Sequence, residues 1–214
     1  MFVLLDVATA VVLAFIGFRL VEASRYATTR HARRHSAEIL RGLRAHHFLL
    51  AVPVLALVVL AYAVLVLIPG MSFGWFTAIG GEGNPVFGSS ESTTGTPLEL
   101  LVPLVFMALL IPALPLLVER EEQLFRRGSE HRGAGARIWR GVAFGAVHAV
   151  IGIPIGAALA LSVGGWYFTW TYLRGYRAGG ADAALLESTR SHLAYNGIIV
   201  TLVLVGIVGA ALTS

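Results

Sequence analysis

The sequence predicts an all-α fold, a polytopic membrane helical bundle of about six transmembrane helices. Hydrophobic residues make up 57% of the 214-residue chain and charged residues only 13%. A soluble domain has roughly half and a quarter, respectively. The mean hydropathy is +0.77. The apolar residues also gather in six long runs, most of them near the roughly 20 residues that a helix needs to cross a bilayer.

The six apolar runs are separated by polar or glycine-rich segments. The runs cover residues 2–20, 48–69, 98–118, 139–153, 154–173 and 193–212. Only the sequence GIPIG at 152–156 divides the fourth from the fifth, and its glycines and proline favour a tight reversal over one continuous helix. No basic segment precedes the first run, so we expect it to be a membrane anchor rather than a cleaved leader.

The positive charges lie on one side of this arrangement. All 16 basic residues are arginine, and they fall between runs one and two, three and four, and five and six or at the adjoining ends of those runs, whereas residues 70–97 have none. The positive-inside bias therefore predicts cytoplasmic loops at 19–47, 119–140 and 174–190. The all-arginine, alanine-rich composition suggests a bacterial cytoplasmic membrane. The net charge of +4 then reflects topology, so the bilayer is the expected partner and nucleic acid is not.

The chain divides into two parts. Residues 1–97 are expected to hold two helices, an Arg-rich cytoplasmic loop and, at 70–97, an irregular outer loop rich in glycine, serine and threonine. Residues 98–214 hold the other spans and the candidate functional residues. Cysteine is absent, which excludes disulfides, thiolate nucleophiles and cysteine-ligated metals.

Few strongly polar residues interrupt the apolar runs, where each acidic or basic group costs roughly 2.5–3.5 kcal/mol at mid-bilayer. Asp6 is near the outer end of its run and can reach the interface. The others form pairs or follow an aromatic residue by one turn. They are Glu121 and Glu122 with Arg126, His148 after Phe144, and His192 with Asn196.

These polar residues indicate a shared site more strongly together than any of them does alone. Glu122 and Arg126 are i,i+4 neighbours on one helix face, as are His192 and Asn196. Taken alone, His148 or the His192 pair is explained as well by hydrogen bonds between helices. Antiparallel packing of the third, fourth and sixth spans would gather a carboxylate, imidazoles and an amide in one pocket. Those groups can activate water and stabilise an oxyanion.

Three short motifs carry a family resemblance. The patterns E-E-x-x-x-R, F-x-x-x-H and H-x-x-x-N occur in this order, and the run EEQLFRRG resembles the usual sequence of the first motif. This set is similar to that of the CAAX-processing and bacteriocin-processing (CPBP) intramembrane glutamic endopeptidases. The resemblance covers roughly residues 98–212.

The resemblance implies an enzyme that hydrolyses a membrane-associated peptide or protein near the cytoplasmic face. Glu121 would be the general base, and His148 would help it to activate water. His192 and Asn196 would stabilise the oxyanion, while Glu122 and Arg126 would orient and balance the first glutamate. Neither a cofactor nor a metal is implied.

Other functions compatible with these residues stay open. His148, His192 and either glutamate could supply three zinc ligands, although the HExxH motif is absent. A non-catalytic scaffold or a bacteriocin-immunity protein would use the same polar residues only to hold helices together. A proton relay is less favoured because the ionisable groups lie on one side and form no path through the membrane.

Overall fold

The protein is a bundle of α-helices. The computed structural model describes residues 2–78, 80–81, 83–84, 89–90 and 94–213, and it is 84% helical. A two-residue antiparallel pair, β1 (Gly83–Asn84) with β2 (Ser89–Ser90), is too short to alter the predicted all-α class, which is confirmed. The helices are α1 (Phe2–Ala27), α2 (Arg30–Arg41), α3 (Ala45–Leu65), α4 (Trp75–Ala78), α5 (Leu98–Phe125), α6 (Ala134–Val147), α7 (Ile155–Ala160) and α8 (Ser162–Thr213).

Four helical segments are long and apolar enough to cross a membrane, fewer than the six spans that the sequence predicts. Within the described residues they are Asp6–Ala27, Ala45–Leu65, Leu98–His131 and Ile155–Gly209. The fourth predicted span falls short because α6 has 14 residues before a 3-10 turn at His148–Ile151. The fifth and sixth predicted spans are joined in the single helical segment that includes α8.

Helix α8 folds back on itself at two glycines. Gly179 has φ −161° and ψ 20°, and Gly180 has φ 78° and ψ −166°, so neither is helical. The two arms, residues 162–178 and 181–213, then pack closely. A Cβ on Gly175 would lie 2.9 Å from the Cα of Ala184. The Ser188 hydroxyl donates to the carbonyl of Phe168 at 2.9 Å. The long segment is therefore a helical hairpin.

A second reversal separates α6 from α7, at the predicted GIPIG segment. Gly152 has a φ of 85°, in the left-handed region that favours glycine. The backbone N–H groups of Ile155 and Gly156 then donate to the carbonyls of Phe73 and Met71 at 2.9 and 2.8 Å. The start of α7 is thus tied to the segment that follows α3.

The first arm of α8 and helices α3 and α6 enclose the main apolar core. Phe144 of α6, Phe168 and Tyr195 of the two arms, and Ala51 and Val58 of α3 are all buried there. The outer surface is apolar as well, with large exposed side chains on several helices. Examples are Leu60, Trp139 and Val205, whose exposed fractions are 60%, 69% and 64%. An apolar exterior of this extent suits contact with lipid.

Helix α2 packs against α5 and α8. The helix begins at Arg30, and Gly42 ends it. Thr29 caps its start by accepting a hydrogen bond from the backbone N–H of Ala32. Ile39 is fully buried against Val118 of α5 and Leu193 of α8. Helix α2 is therefore anchored to both.

We expect Gly180→Ala to destabilise the helical hairpin. The backbone at Gly180 lies in a region that is essentially restricted to glycine, so a Cβ costs about 1–3 kcal/mol. Thermal unfolding in detergent should show a lowered midpoint. Gly197→Ala in the same segment is the matched control, because its Cβ would meet nothing within 4 Å and alanine favours a helix. Equal midpoints for the two variants would contradict the fold-back at these glycines.

Candidate functional site

A buried ion pair lies at the C-terminal end of α5. Glu122 and Arg126 are both fully buried, and the Nε atom of Arg126 lies 3.6 Å from Oε2 of Glu122. They lie one helical turn apart, so their side chains point to the same face. That face is turned into the bundle toward the two arms of α8.

The second arm of α8 supplies two more partners to the buried carboxylate. Nδ1 of His192 lies 2.9 Å from Oε1 of Glu122, and the Ser188 hydroxyl contacts Oε2. Ser188 and His192 are themselves one turn apart. Since an ionised carboxylate only accepts hydrogen bonds, the Nδ1 atom of His192 must carry a proton and donate it. This bond fixes the ring and leaves Nε2 directed away from Glu122.

Glu121 lies on the other side of the same imidazole. Its Oε2 is 3.7 Å from Nε2 of His192, and its side chain is 39% exposed, whereas Glu122 is completely buried. The separation exceeds a direct hydrogen bond. His192 thus lies between two carboxylates, one inaccessible and one open to small molecules.

His148 completes the group from α6. Its Nδ1 donates to the carbonyl of Phe144 at 2.7 Å, because a carbonyl can only accept. The Nε2 atom of His148 is therefore the free ring nitrogen. The Phe144 ring lies 4.9 Å from the His148 ring and 5.4 Å from that of His192. His148 also interacts electrostatically with Glu121.

Aromatic rings surround the buried cation. The guanidinium carbon of Arg126 is 4.3 Å from the centre of the Phe144 ring and 5.5 Å from that of Phe168. Its Nη2 donates to the carbonyl of Gly165 at 3.2 Å. The rings favour the cation through their quadrupoles. Arg126 is therefore held on three sides by α5, α6 and the first arm of α8.

Six of the seven site residues predicted from the sequence take part in the contacts described above. They are Glu121, Glu122, Arg126, Phe144, His148 and His192. Asn196 lies one turn beyond His192 and is half-buried. Among the described residues its amide makes no hydrogen bond to either glutamate.

Sequence reasoning missed two residues of this site. Ser188 contacts Glu122 directly, and the ring of Phe168 stacks on that of His192 with centroids 4.1 Å apart. Ser188 could have been found, because it precedes His192 by one helical turn. Phe168 is far from His192 in sequence and carried no comparable signal, since only the hairpin brings the two together.

A second polar cluster lies beside the site, on α3 and the second arm. Nε2 of His46 and Nε2 of His47 each lie 3.4 Å from an oxygen of Glu187. Within the described residues this is the one group of three potential metal ligands whose ligand atoms lie within 4.8 Å of one another.

The tautomer of His47 disfavours a metal in that cluster. Its Nδ1 accepts a hydrogen bond from the backbone N–H of Arg44 at 2.9 Å. The proton of the neutral ring is therefore on Nε2, the atom that faces Glu187. A metal at Nε2 would require that proton on Nδ1 instead. The cluster is thus better described as hydrogen bonds that link α3 to α8.

A further contact attaches α2 to the end of α5 just before the glutamate pair. Nε2 of His35 lies 2.8 Å from Oε2 of Glu119, and its Nδ1 lies 3.5 Å from Glu38. Burial by itself lowers the pKa of His35. The hydrogen bonds and charges of Glu119 and Glu38 outweigh burial, so the pKa is raised above its ordinary value.

Comparison of the chain with protein-family models, with curated proteins and with solved structures found no match. The family resemblance therefore depends on the three sequence motifs alone.

We expect Arg126→Met to lower the free energy of unfolding by about 3–5 kcal/mol, because it leaves Glu122 as an uncompensated buried charge. The double variant Glu122→Gln/Arg126→Met removes both charges and should recover part of the loss. Unfolding in detergent by denaturant measures both. Arg127→Met, on the exposed neighbouring residue, is the matched control. If it destabilised the protein as much as Arg126→Met, the buried pair would not be the cause.

The contact between α2 and α5 should weaken as the pH rises. The folded-state pKa of His35 lies above its unfolded value, so the stabilisation is complete below about 6.5 and is lost as the pH rises through the folded-state pKa. Hydrogen exchange of α2 in detergent should show less protection at higher pH, after correction for the intrinsic exchange rate. His35→Gln should remove this dependence. Protection that stays constant from about pH 6 to about pH 9 would contradict the assignment.

Proposed function

We propose that this protein is an intramembrane endopeptidase of the glutamic type, related to the CPBP family. It would hydrolyse a peptide bond of a membrane-associated protein or peptide. In a bacterial cytoplasmic membrane, the positive-inside bias would put its Arg-rich loops in the cytoplasm. The site at the end of α5 would then lie near the cytoplasmic face.

One observation carries the proposal, the position of His192 between two unlike carboxylates. Glu122 is fully buried and bound to Nδ1 of His192 at 2.9 Å. Glu121 is partly exposed, with its oxygen 3.7 Å from Nε2. A water molecule that contacts both Glu121 and the imidazole is compatible with this spacing. The pairing of one orienting and one accessible carboxylate resembles other sites where a base is held and positioned by a neighbour.

The chemistry follows from these positions. Glu121 removes a proton from water, whose oxygen forms a bond to the carbonyl carbon of the scissile peptide. His148 accepts a hydrogen bond from this water through its free Nε2. The proton held by Glu121 then passes to the peptide nitrogen as the carbon–nitrogen bond breaks. The products are a carboxyl terminus and an amine.

The oxyanion formed during the attack needs donors. Asn196 has an amide N–H available one turn beyond His192. His192 can donate from Nε2 when it is the imidazolium, and Glu122 then balances its charge. Preorganised donors of this kind each contribute about 10²–10³ in rate. Arg126 contacts Glu122 and not the substrate. It would therefore act by positioning Glu122, which in turn positions His192.

A zinc-dependent membrane peptidase is the second candidate, and the histidine tautomers favour it. His148 and His192 both donate Nδ1–H to an oxygen and leave Nε2 free, as zinc-binding histidines usually do. The geometry is less favourable. Among the described residues, the group whose ligand atoms converge within 4.8 Å is the separate cluster at His46, His47 and Glu187.

A non-catalytic scaffold or immunity protein is supported by another observation. Glu122, Arg126, Ser188 and His192 form a buried network that joins α5 to α8, and such a network holds helices together without any turnover. What this function does not explain is the exposure of Glu121. Its carboxylate contributes little to a buried network and is open to small molecules.

The decisive prediction concerns Glu121→Gln. This variant keeps the shape of the side chain and removes the base, so cleavage should fall about 10²–10⁴-fold, while thermal unfolding in detergent stays close to that of the wild type. Cleavage is measured with peptide libraries in detergent, or by comparing membrane peptides of cells that carry either form. Asp182→Asn, which removes an exposed carboxylate elsewhere, is the control.

The outcomes separate the three functions. Full cleavage by Glu121→Gln would overturn the assignment of the base. Loss of wild-type activity with a chelator, together with zinc in the purified protein, would favour the metallopeptidase. A folded wild-type protein that cleaves nothing in either assay would favour the scaffold.

A further inference from the structure

A long groove lies between α1 and α5. It consists of two cavities of about 440 and 250 Å³ that share Leu20. Residues 19–26 of α1 and 113–120 of α5 line the larger cavity. Residues 13–20 and 101–109 line the smaller one. The two helices run in the same direction along the groove.

The groove has the length of a membrane core. From Leu101 to Arg120, α5 rises about 28 Å at 1.5 Å per residue, close to the roughly 30 Å of the hydrocarbon region. Every side chain that lines the smaller cavity is a hydrocarbon, apart from Gly17, which has none. A peptide backbone in that stretch would find no hydrogen-bond partner among the side chains. A hydrocarbon chain needs none.

Gly17 shows that α1 and α5 leave this space open. Glycine in a membrane helix commonly allows two helices to approach closely. A Cβ added at Gly17, however, would meet no atom within 4 Å. The absence of a side chain therefore widens the groove at mid-membrane instead of bringing α5 nearer.

Positive charge collects at one end of the groove. Arg19 of α1 and Arg120 of α5 both line the larger cavity, together with Glu22 and Tyr26. Glu22 accepts a hydrogen bond from Arg19 at 2.7 Å. Within the described residues, no carboxylate forms an ion pair with Arg120. Two guanidinium groups thus face one carboxylate, which leaves an excess positive charge beside a tyrosine hydroxyl.

We propose that this groove binds an anionic phospholipid. Its phosphate lies at Arg19 and Arg120, and an acyl chain runs along the apolar part past Gly17. Arginine near an anionic lipid surface gains about 1 kcal/mol of attraction, or about fivefold in binding. The excess positive charge distinguishes an anionic lipid from a zwitterionic one. The hydrocarbon lining distinguishes a lipid from free phosphate.

Native mass spectrometry of the purified protein tests this with phosphatidylglycerol and with phosphatidylcholine of the same acyl chains. The wild type should retain phosphatidylglycerol in preference by about fivefold or more. Arg19→Gln/Arg120→Gln should lose that preference, whereas Glu22→Gln should raise it because Arg19 is freed. Inorganic phosphate alone should neither bind nor displace the lipid. Arg177→Gln, on an arginine outside the groove, is the control.

A second variant tests the apolar part. Gly17→Leu fills open space without meeting protein atoms, so the fold should persist, with an unchanged unfolding midpoint after delipidation, while lipid retention falls severalfold. Equal retention of both lipids by the wild type would overturn the proposal, and so would unchanged preference in the double arginine variant. Unchanged retention by Gly17→Leu would overturn the chain's position in the groove. None of these results depends on peptidase activity.

Discussion

The buried carboxylate of Glu122 constrains the structure around the candidate site more than any other group. A charge without partners inside a helical bundle is expensive, and a buried pair is tolerated only when further hydrogen bonds satisfy it. Glu122 obtains these from Ser188 and His192 on the second arm of α8, while Arg126, one turn further along, supplies the opposite charge at 3.6 Å. Its ionisation is therefore compatible with only one relative position of α5 and that arm, and the fold-back of α8 is what makes this position possible.

The same constraint makes the two adjacent glutamates different. Residues next to each other on a helix point about 100° apart, so when Glu122 is turned into the bundle, Glu121 must face its edge. Glu122 is completely buried and Glu121 is 39% exposed. His192 contacts both because its two ring nitrogens point in opposite directions. One carboxylate thus holds the imidazole by a hydrogen bond. The other lies beside the imidazole without a direct hydrogen bond to it.

The all-α class, and most of the residues that lie together in the candidate site, could be predicted from sequence, because both depend on local patterns. Long apolar runs predict helices, and i,i+4 spacing predicts that Glu122 shares a face with Arg126. Predicting contacts between helices required the path of the chain. The reversal at Gly179 and Gly180 lies in a hydrophilic stretch where glycine pairs are compatible with any loop. Without it, neither the Ser188 contact nor the stacking of Phe168 on His192 could be derived.

Polar contacts of α2 and α3 connect residues 1–97 to the candidate site. His35 of α2 binds Glu119, two residues before Glu121, and His46 and His47 of α3 contact Glu187, the residue before Ser188. His46 and His47 therefore act on the residue next to Ser188, and His35 acts on a residue less than one helical turn before Glu122. A shift of α2 or α3 would move the backbone that carries Glu121 or Ser188. The N-terminal helices are thus part of the support that keeps Glu122 bound and Glu121 accessible, even though the motifs all lie in the second half of the chain.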